Sequence, residues 1–425
     1  MATHLRKGLL ALCLCAPVAL QAAPAASWVT TWSANPQPRW DGGFPLPTKL
    51  PYHLWNQTVR QVVRVSVGGK RLRVVLSNAY GSAPLVIGAA HLAEAADGSS
   101  ILAGSDRVLH FDGQASVAIP AGAAWVSDPV ALDVADGGRL ALSLYLPEPT
   151  PPATFHWEGL DQAWLADGDV TGAPSLTATG VAEVRLFASA IQVETSAPRL
   201  VATLGDSITD GAGSTPGANH RWPDVLADAL APRGIAVANA GISGARVLST
   251  LMGESALARL DRDVLAQPGI ETVVVLMGIN DIGWPGTVLA PAAPPVESAA
   301  LIGGYRQLIA RARARGVRIV GATMPPFEGA LADSAIVGYY SADKERTRQA
   351  VNRWIRQDGP FDAVVDLDLL LRDPARPLRL LPVYDSGDHL HPGDAGYAAI
   401  AHAVAMVLAG LDAHAATASH LKEPH

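Results

Sequence analysis

Ser207 stands in the segment Leu204-Gly205-Asp206-Ser207-Ile208-Thr209-Asp210-Gly211, directly after a run of apolar residues. A hydroxyl at such a strand-to-loop turn sits beside outward-pointing backbone N–H groups, and it becomes a nucleophile once a base takes its proton. The alternative use of Ser207 or Asp206 is to cap a helix. A base is available near the other end of the chain, in Asp385-Ser386-Gly387-Asp388-His389-Leu390-His391-Pro392-Gly393. Asp388 and His391 are three apart. In a turn, that spacing sets the carboxylate beside the ring, where it accepts the Nδ1 proton and leaves Nε2 for Ser207. His389 lies off that face and is the weaker base. An Asp–His pair can also tie down a loop or hold a metal. A metal needs further ligands, however, and no partner motif such as His-Glu-x-x-His occurs.

Attack on a carbonyl also needs donors for the oxyanion, and losing one such donor costs about 2.7–4 kcal/mol of transition-state stabilisation. Gly244, in Ala238-Asn239-Ala240-Gly241-Ile242-Ser243-Gly244, offers an unobstructed backbone N–H, and Asn280, in Met277-Gly278-Ile279-Asn280-Asp281, offers a side-chain amide. Taken singly, Gly244 reads as a turn glycine and Asn280 as an Asx-turn residue. Together with Ser207 and the Asp388–His391 pair they place polar groups at several strand ends of one sheet. Trp284, directly after the Asn280 loop, is the candidate substrate wall. Arg221 and Trp222 are candidates to line the same cleft from the Ser207 side, with surface or core roles open as well.

The elements that must position these groups follow from the apolar pattern. After Ser196-Ala197-Pro198, strand-like runs at 200–204, 236–240, 272–277, 318–323 and 363–367 alternate with helical stretches at 222–230, 298–315, 341–356 and 395–408. Near-continuous apolar strands between helices predict a parallel sheet covered on both faces. Chemistry in such doubly wound sheets lies at the carboxyl ends of the strands. From 28 to 193 the grammar differs: short alternating runs punctuated by Gly, Pro and Asp predict an antiparallel, jelly-roll-like sandwich. Within it, 59–67 and 71–77 read as two strands joined by a tight Gly68-Gly69-Lys70 turn. The charged helical face 343–356 reads as solvated, and 413–425 as an unstructured tail.

The four polar segments resemble, in order and spacing, the four sequence blocks of the SGNH (GDSL-type) hydrolases. Gly205-Asp206-Ser207 resembles the nucleophile block, Gly244 the glycine donor, Asn280 the asparagine donor, and Asp388-x-x-His391 the acid–base block. Ile208 replaces the eponymous leucine, a common swap that leaves the chemistry untouched. The resemblance covers 200 to 408. It implies a flavodoxin-like sheet of five parallel strands and hydrolysis through an acyl-serine: Ser207 attacks, His391 is base and then acid, and Asp388 orients the ring. The N–H groups of Ser207 and Gly244 and the Asn280 amide would hold the oxyanion. No metal or organic cofactor is implied. The first half, with Trp28-Val29-Thr30-Thr31-Trp32, is similar to the β-rich extension of a bacterial secreted subgroup that includes arylesterases and xylan-associated esterases.

Composition bounds the partners. The 425 residues are 49% hydrophobic and 17% charged, which suits two domains with a substantial core and excludes a disordered or collagenous chain. A net charge of −7 without a Lys/Arg block disfavours nucleic acid, whose phosphates demand clustered positive charge. Arg6 and Lys7 precede an apolar run and then small residues up to Ala26, the pattern of a cleaved signal peptide. The run is too short for a membrane span, and no later stretch reaches ~20 apolar residues uninterrupted. Both cysteines, Cys13 and Cys15, fall within it; the leucines before them speak against lipidation. The expected organisation is a signal peptide at 1–26, a β-sandwich at 27–196, a hydrolase domain at 197–412 and a tail at 413–425, secreted or periplasmic. Gly211-Ala212-Gly213 does not open a dinucleotide loop, because Pro216 intrudes and the strand ends seven residues earlier. Seven of the ten tryptophans lie at or before 164, for core packing or for stacking on sugars. The expected partner is a small-molecule or polysaccharide ester. Lipid or aryl esters, acyl transfer to a sugar, and a polysaccharide-binding protein with an idle hydrolase half are the alternatives.

Overall fold

The computed structural model describes residues 27–420. The segment read as a signal peptide, with Cys13 and Cys15, lies outside the described residues. The second half forms one five-stranded parallel sheet in the spatial order Ala236–Gly241, Leu200–Gly205, Ile270–Leu276, Arg318–Ala322, Ala363–Val365. These are the strands the apolar runs predict, within a few residues at each end. The chain runs from the strand Leu200–Gly205 to one neighbour and then crosses to the other. The carboxyl end of that strand is therefore the topological switch point where doubly wound sheets bind ligands. The last helix, Asp394–His420, continues past Leu408 and makes the beginning of the expected tail helical. Over Asp394–His414 it is, by length and composition, long and apolar enough to cross a membrane, with a mean hydropathy of 1.5, although Asp394, His402 and Asp412 interrupt its apolar run. Here its Tyr397, Ile400, Ala401, Val404 and Leu408 pack into the core on one face of the sheet. Its far end is tied by Asp412 to Arg233 at 2.5 Å, Arg318 at 2.8 Å and Arg199 at 3.4 Å. The charged helix Ala342–Gln357 is not wholly solvated either: Arg348 is fully buried between Glu345 and Asp368.

The first half is antiparallel throughout. One sheet joins Ser27–Ser33, Ala188–Thr195, Gly69–Ser77, Val130–Val134 and Ala124–Val126; a second joins Gly180–Ala182, Ala163–Asp167, Gln57–Arg64, Arg139–Leu146, Ala89–Glu94 and Arg107–Val108. The expected hairpin at Gly68-Gly69-Lys70 is not formed. Its two strands belong to different sheets, and the chain crosses between them. Alternation of apolar residues is the same whether two strands pair edge to edge or face each other across a core, so the pattern could not separate the two. The glycines serve a close approach: a Cβ on Gly68 would lie 2.0 Å from the Val134 carbonyl oxygen.

The two halves share one continuous core, which runs from Val59 and Leu142 in the sandwich to Ala240, Ile242 and Trp284 beside the parallel sheet. The edge strand Ala236–Gly241 is covered by the sandwich. The Val237 N–H donates to Ser66 Oγ at 3.0 Å and Ser33 Oγ to the Asn239 carbonyl at 2.9 Å. Covering an edge in this way removes a row of unpaired backbone groups that would otherwise recruit another chain.

Candidate active site

The first parallel strand is buried along its whole length and ends at Gly205. A side chain at Gly205 would meet Thr209 Oγ1 at 1.9 Å, so only glycine lets the following turn fold back over the strand. Asp206 caps that turn, its Oδ1 accepting from the Ile208 N–H at 3.1 Å. Ser207 is the first residue of the one-turn helix Ser207–Asp210, so its own N–H has no partner within the helix. Asp206 is the cap of this segment, and the Ser207 hydroxyl is left to face His391. Buried Arg259 lies underneath, donating to the Gly205 carbonyl at 2.9 Å and the Ala240 carbonyl at 2.7 Å. It ties together the ends of the two strands that carry the Ser207 and Gly244 loops.

His391 Nε2 is 2.8 Å from Ser207 Oγ, and its Nδ1 is 2.5 Å from Asp388 Oδ2. A carboxylate only accepts, so Nδ1 carries the proton and Nε2 is free to take one from the serine. Asp388 also receives the backbone N–H groups of Leu390 at 2.9 Å and His391 at 2.8 Å. Burial works against its charge, but the imidazole and these two donors hold the carboxyl well below the usual range. His389 is turned away, paired with Asp385 at 2.5 Å.

Asn280 is fixed by its neighbours. Its Oδ1 accepts from Trp284 Nε1 at 2.9 Å and from the Tyr339 hydroxyl at 2.8 Å, and its Nδ2 donates to the Ala245 carbonyl at 3.0 Å. An indole N–H can only donate and a carbonyl can only accept, so the amide has one orientation, with a hydrogen left on Nδ2. Gly244 has φ +77°, and a Cβ there would meet Met252 Sδ at 2.4 Å. Glycine is needed on both counts. Asp281 binds this turn to the Asn280 loop by accepting the Val247 N–H at 2.8 Å and the Leu248 N–H at 3.0 Å.

These groups meet in one cavity of about 220 Å³, lined among others by Ser207, Gly244, Asn280, Trp284, Tyr339 and His391. Of the three candidate substrate contacts, only Trp284 is in it. That side chain is 1% exposed, and its polar atom is committed to Asn280. Trp222 is fully buried in the core under the last helix, because its helix turns that face inward. Arg221 lies behind the wall, donating to the Gly159 carbonyl at 2.6 Å.

Part of the site has no signal in the local sequence, because it comes from the sandwich. Leu46, Trp157 and Glu158 line the same cavity. His156, at the end of the strand Thr154–His156, reaches the back of the site: its Nε2 is 2.9 Å from Asp210 Oδ1 and its Nδ1 is 3.0 Å from the Asn35 carbonyl. Both ring nitrogens thus face oxygen atoms, one of a carboxyl group and one of the backbone. Asp210 Oδ2 in turn accepts the N–H and hydroxyl of Ser243, at 2.8 and 2.9 Å, immediately before Gly244. Burial alone would raise the Asp210 carboxyl, but His156, Arg221 and Ser243 outweigh it and hold the group below its ordinary value.

Residues 203–399 match the model of the GDSL-like lipase/acylhydrolase family. No curated protein matches the chain. Among solved structures, the chain is similar to a GDSL-like lipase from Bacteroides thetaiotaomicron, at 18% identity over 52% of this chain and 91% of that one, with a TM-score of 0.38. It is similar to a carbohydrate acetylesterase from Sinorhizobium meliloti at 16% identity over 50% and 99%, with a TM-score of 0.39. It is also similar to an acetyl xylan esterase at 21% identity over 48% and 97%, with a TM-score of 0.36. The family match spans the strand end that bears Ser207, both donor loops and the loop of Asp388 and His391. Residues 203–399 thus carry a GDSL-like lipase/acylhydrolase domain, which makes the protein a carboxylic ester hydrolase.

Proposed function

We propose that the protein is an exported serine esterase that removes short acyl groups, with O-acetyl esters of carbohydrate as its substrates. The observation that carries the mechanism is the hydrogen-bonded line from Asp388 through His391 to Ser207 Oγ. In this reading Ser207 Oγ attacks the ester carbonyl carbon while its proton passes to His391 Nε2. The negative charge that develops on the carbonyl oxygen is received by the N–H groups of Ser207 and Gly244 and by Asn280 Nδ2. Collapse breaks the bond to the alcohol oxygen, which leaves with the proton from His391. Water, deprotonated by the same imidazole, then cleaves the acyl-serine and restores the hydroxyl.

A short acyl group is supported by the cavity. At about 220 Å³ it falls below the ~300–1,000 Å³ typical of pockets for drug-sized ligands, and Leu289, Ile336 and Tyr339 are among its walls. A carbohydrate alcohol is supported by the sandwich, which we read as a jelly-roll-like accessory domain and which brings Trp157 to the cavity. Export is supported by the Arg6-Lys7 and apolar segment at the start of the chain.

Release of p-nitrophenol from acetate, butyrate and octanoate esters tests the reading. Turnover should be fastest on acetate, fall with chain length, and drop by about 10³-fold or more in Ser207→Ala. Equal rates for wild type and variant would remove Ser207 from the mechanism, and rates that rise with chain length would favour a lipase.

A further inference from the structure

His156, Trp157, Glu158 and Gly159 are held at almost every backbone and side-chain contact except one. His156 is paired with Asp210. The Trp157 N–H donates to Gln37 Oε1 at 2.7 Å, and Gln37 Nε2 donates to the Met252 carbonyl at 2.6 Å, beside the Gly244 turn. Trp157 Nε1 donates to the Pro47 carbonyl at 3.0 Å, and Lys49 Nζ lies 5.0 Å from the ring centroid. The Gly159 carbonyl accepts from Arg221 and from Arg185 at 3.2 Å. The exception is the side chain of Glu158. It is half-buried at the wall of the catalytic cavity and makes no hydrogen bond or ion pair with any described group.

A partly buried carboxyl without a protein partner is short of donors, and a ligand's hydroxyl groups can supply them. Burial, with Asp210 nearby, pushes this carboxyl up, as expected of a group deprived of donors. It adjoins Trp157, whose locked indole presents a rigid apolar surface to the same cavity. An acceptor next to an aromatic plate suits a ligand that has hydroxyl groups around a face of C–H bonds. Acyl groups of simple esters have no hydroxyls, so the part of the substrate that fits is the alcohol.

We propose that Trp157 and Glu158 of the accessory domain form the subsite for the leaving alcohol, and that Glu158 selects esters of polyhydroxyl alcohols by accepting their hydroxyl hydrogens. This rests on the esterase reading of the cavity and makes the sandwich part of the substrate site. Neither residue lies within the stretch matched by the family model, residues 203–399, so specificity and chemistry come from different halves of the chain.

The test compares glycerol monoacetate with propyl acetate, which share the acyl group and the carbon chain and differ in two hydroxyls. Acetate release by the full chain should show a higher kcat/KM for the glycerol ester, and Glu158→Ala should reduce that ratio by about tenfold or more. Glu158→Gln, which keeps the shape and one acceptor, should retain more of the preference. Trp157→Leu should raise KM for an acetylated xyloside more than for propyl acetate. The ratio is read on one preparation, so a variant that folds in part lowers both rates and leaves it unchanged. A wild type that treats both esters alike, or a ratio unmoved by Glu158→Ala, overturns the subsite. Failure of Ser207→Ala to abolish turnover would instead overturn the esterase reading beneath it. A preference for the glycerol ester without activity on any acetylated sugar would keep the subsite and remove carbohydrate as the substrate.

Discussion

At the scale of single residues, the site depends on groups whose orientation is settled before any ester arrives. Asn280 is the clearest case, since Trp284 and Tyr339 occupy its carbonyl and so aim its amide. Asp206 is a second. It is 1% exposed, and burial pushes its carboxyl up to about 7. An aspartate in the unfolded chain ionises near pH 4. Between about pH 4 and 7 the folded state therefore holds a proton that the unfolded state has lost, and stability falls as pH rises. Over three pH units that loss approaches about 4 kcal/mol at most. Asp206→Asn keeps a capping oxygen and removes the titration. Denaturant melts from pH 4.5 to 7.5 should give a flatter stability profile for the variant; parallel profiles would mean that Asp206 ionises normally. The candidate reacting residues Ser207, Asp388 and His391 are legible in the sequence by type and order, and the structure brings them into one hydrogen-bonded line. The residues that aim them, Tyr339, Asp210 and His156, are not legible there, because each acts across 33 residues or more through a bond that no spacing encodes.

At the scale of elements, the strand Thr154–His156 works as a strut. Its His156 is hydrogen-bonded to buried Asp210, which holds Ser243 and thereby the Gly244 turn. Removing one partner of a buried pair costs about 3–5 kcal/mol, because a charge is left uncompensated. His156→Gln should lower the melting temperature and kcat together, and adding Asp210→Asn should recover much of the stability. If the double variant is no more stable than the single one, the cost does not come from the stranded carboxylate. The elements themselves were largely readable. The five parallel strands and the long helices of the second half announce themselves by apolar runs of the right length. The join between the strands Gln57–Arg64 and Gly69–Ser77 did not, since a crossing between sheets and a hairpin share one pattern.

At the scale of the whole molecule, the two halves are separate in grammar and joined in packing. The change from antiparallel to parallel, between Thr195 and Leu200, is visible in the sequence. The core that spans the change is not, because apolar periodicity says that a face is buried but not against what. With a core shared between the halves and a hydrogen-bonded seam, the chain should unfold as one unit. Calorimetry should give a single transition whose calorimetric and van't Hoff enthalpies agree. Two resolved transitions would show that the halves fold independently.

The loop that carries the base holds one further consequence. Two Asp–His pairs, Asp385–His389 and Asp388–His391, lock into it within seven residues, the Ser386 N–H donates to the His391 carbonyl at 3.0 Å, and Asp385 pairs with Pro392. A loop fixed at so many points has given up its conformational freedom when the chain folds, not when substrate binds. Encounter with an ester then requires no ordering of the base, and the rate should reflect bond-making at Ser207 instead of the waiting time for a segment to close.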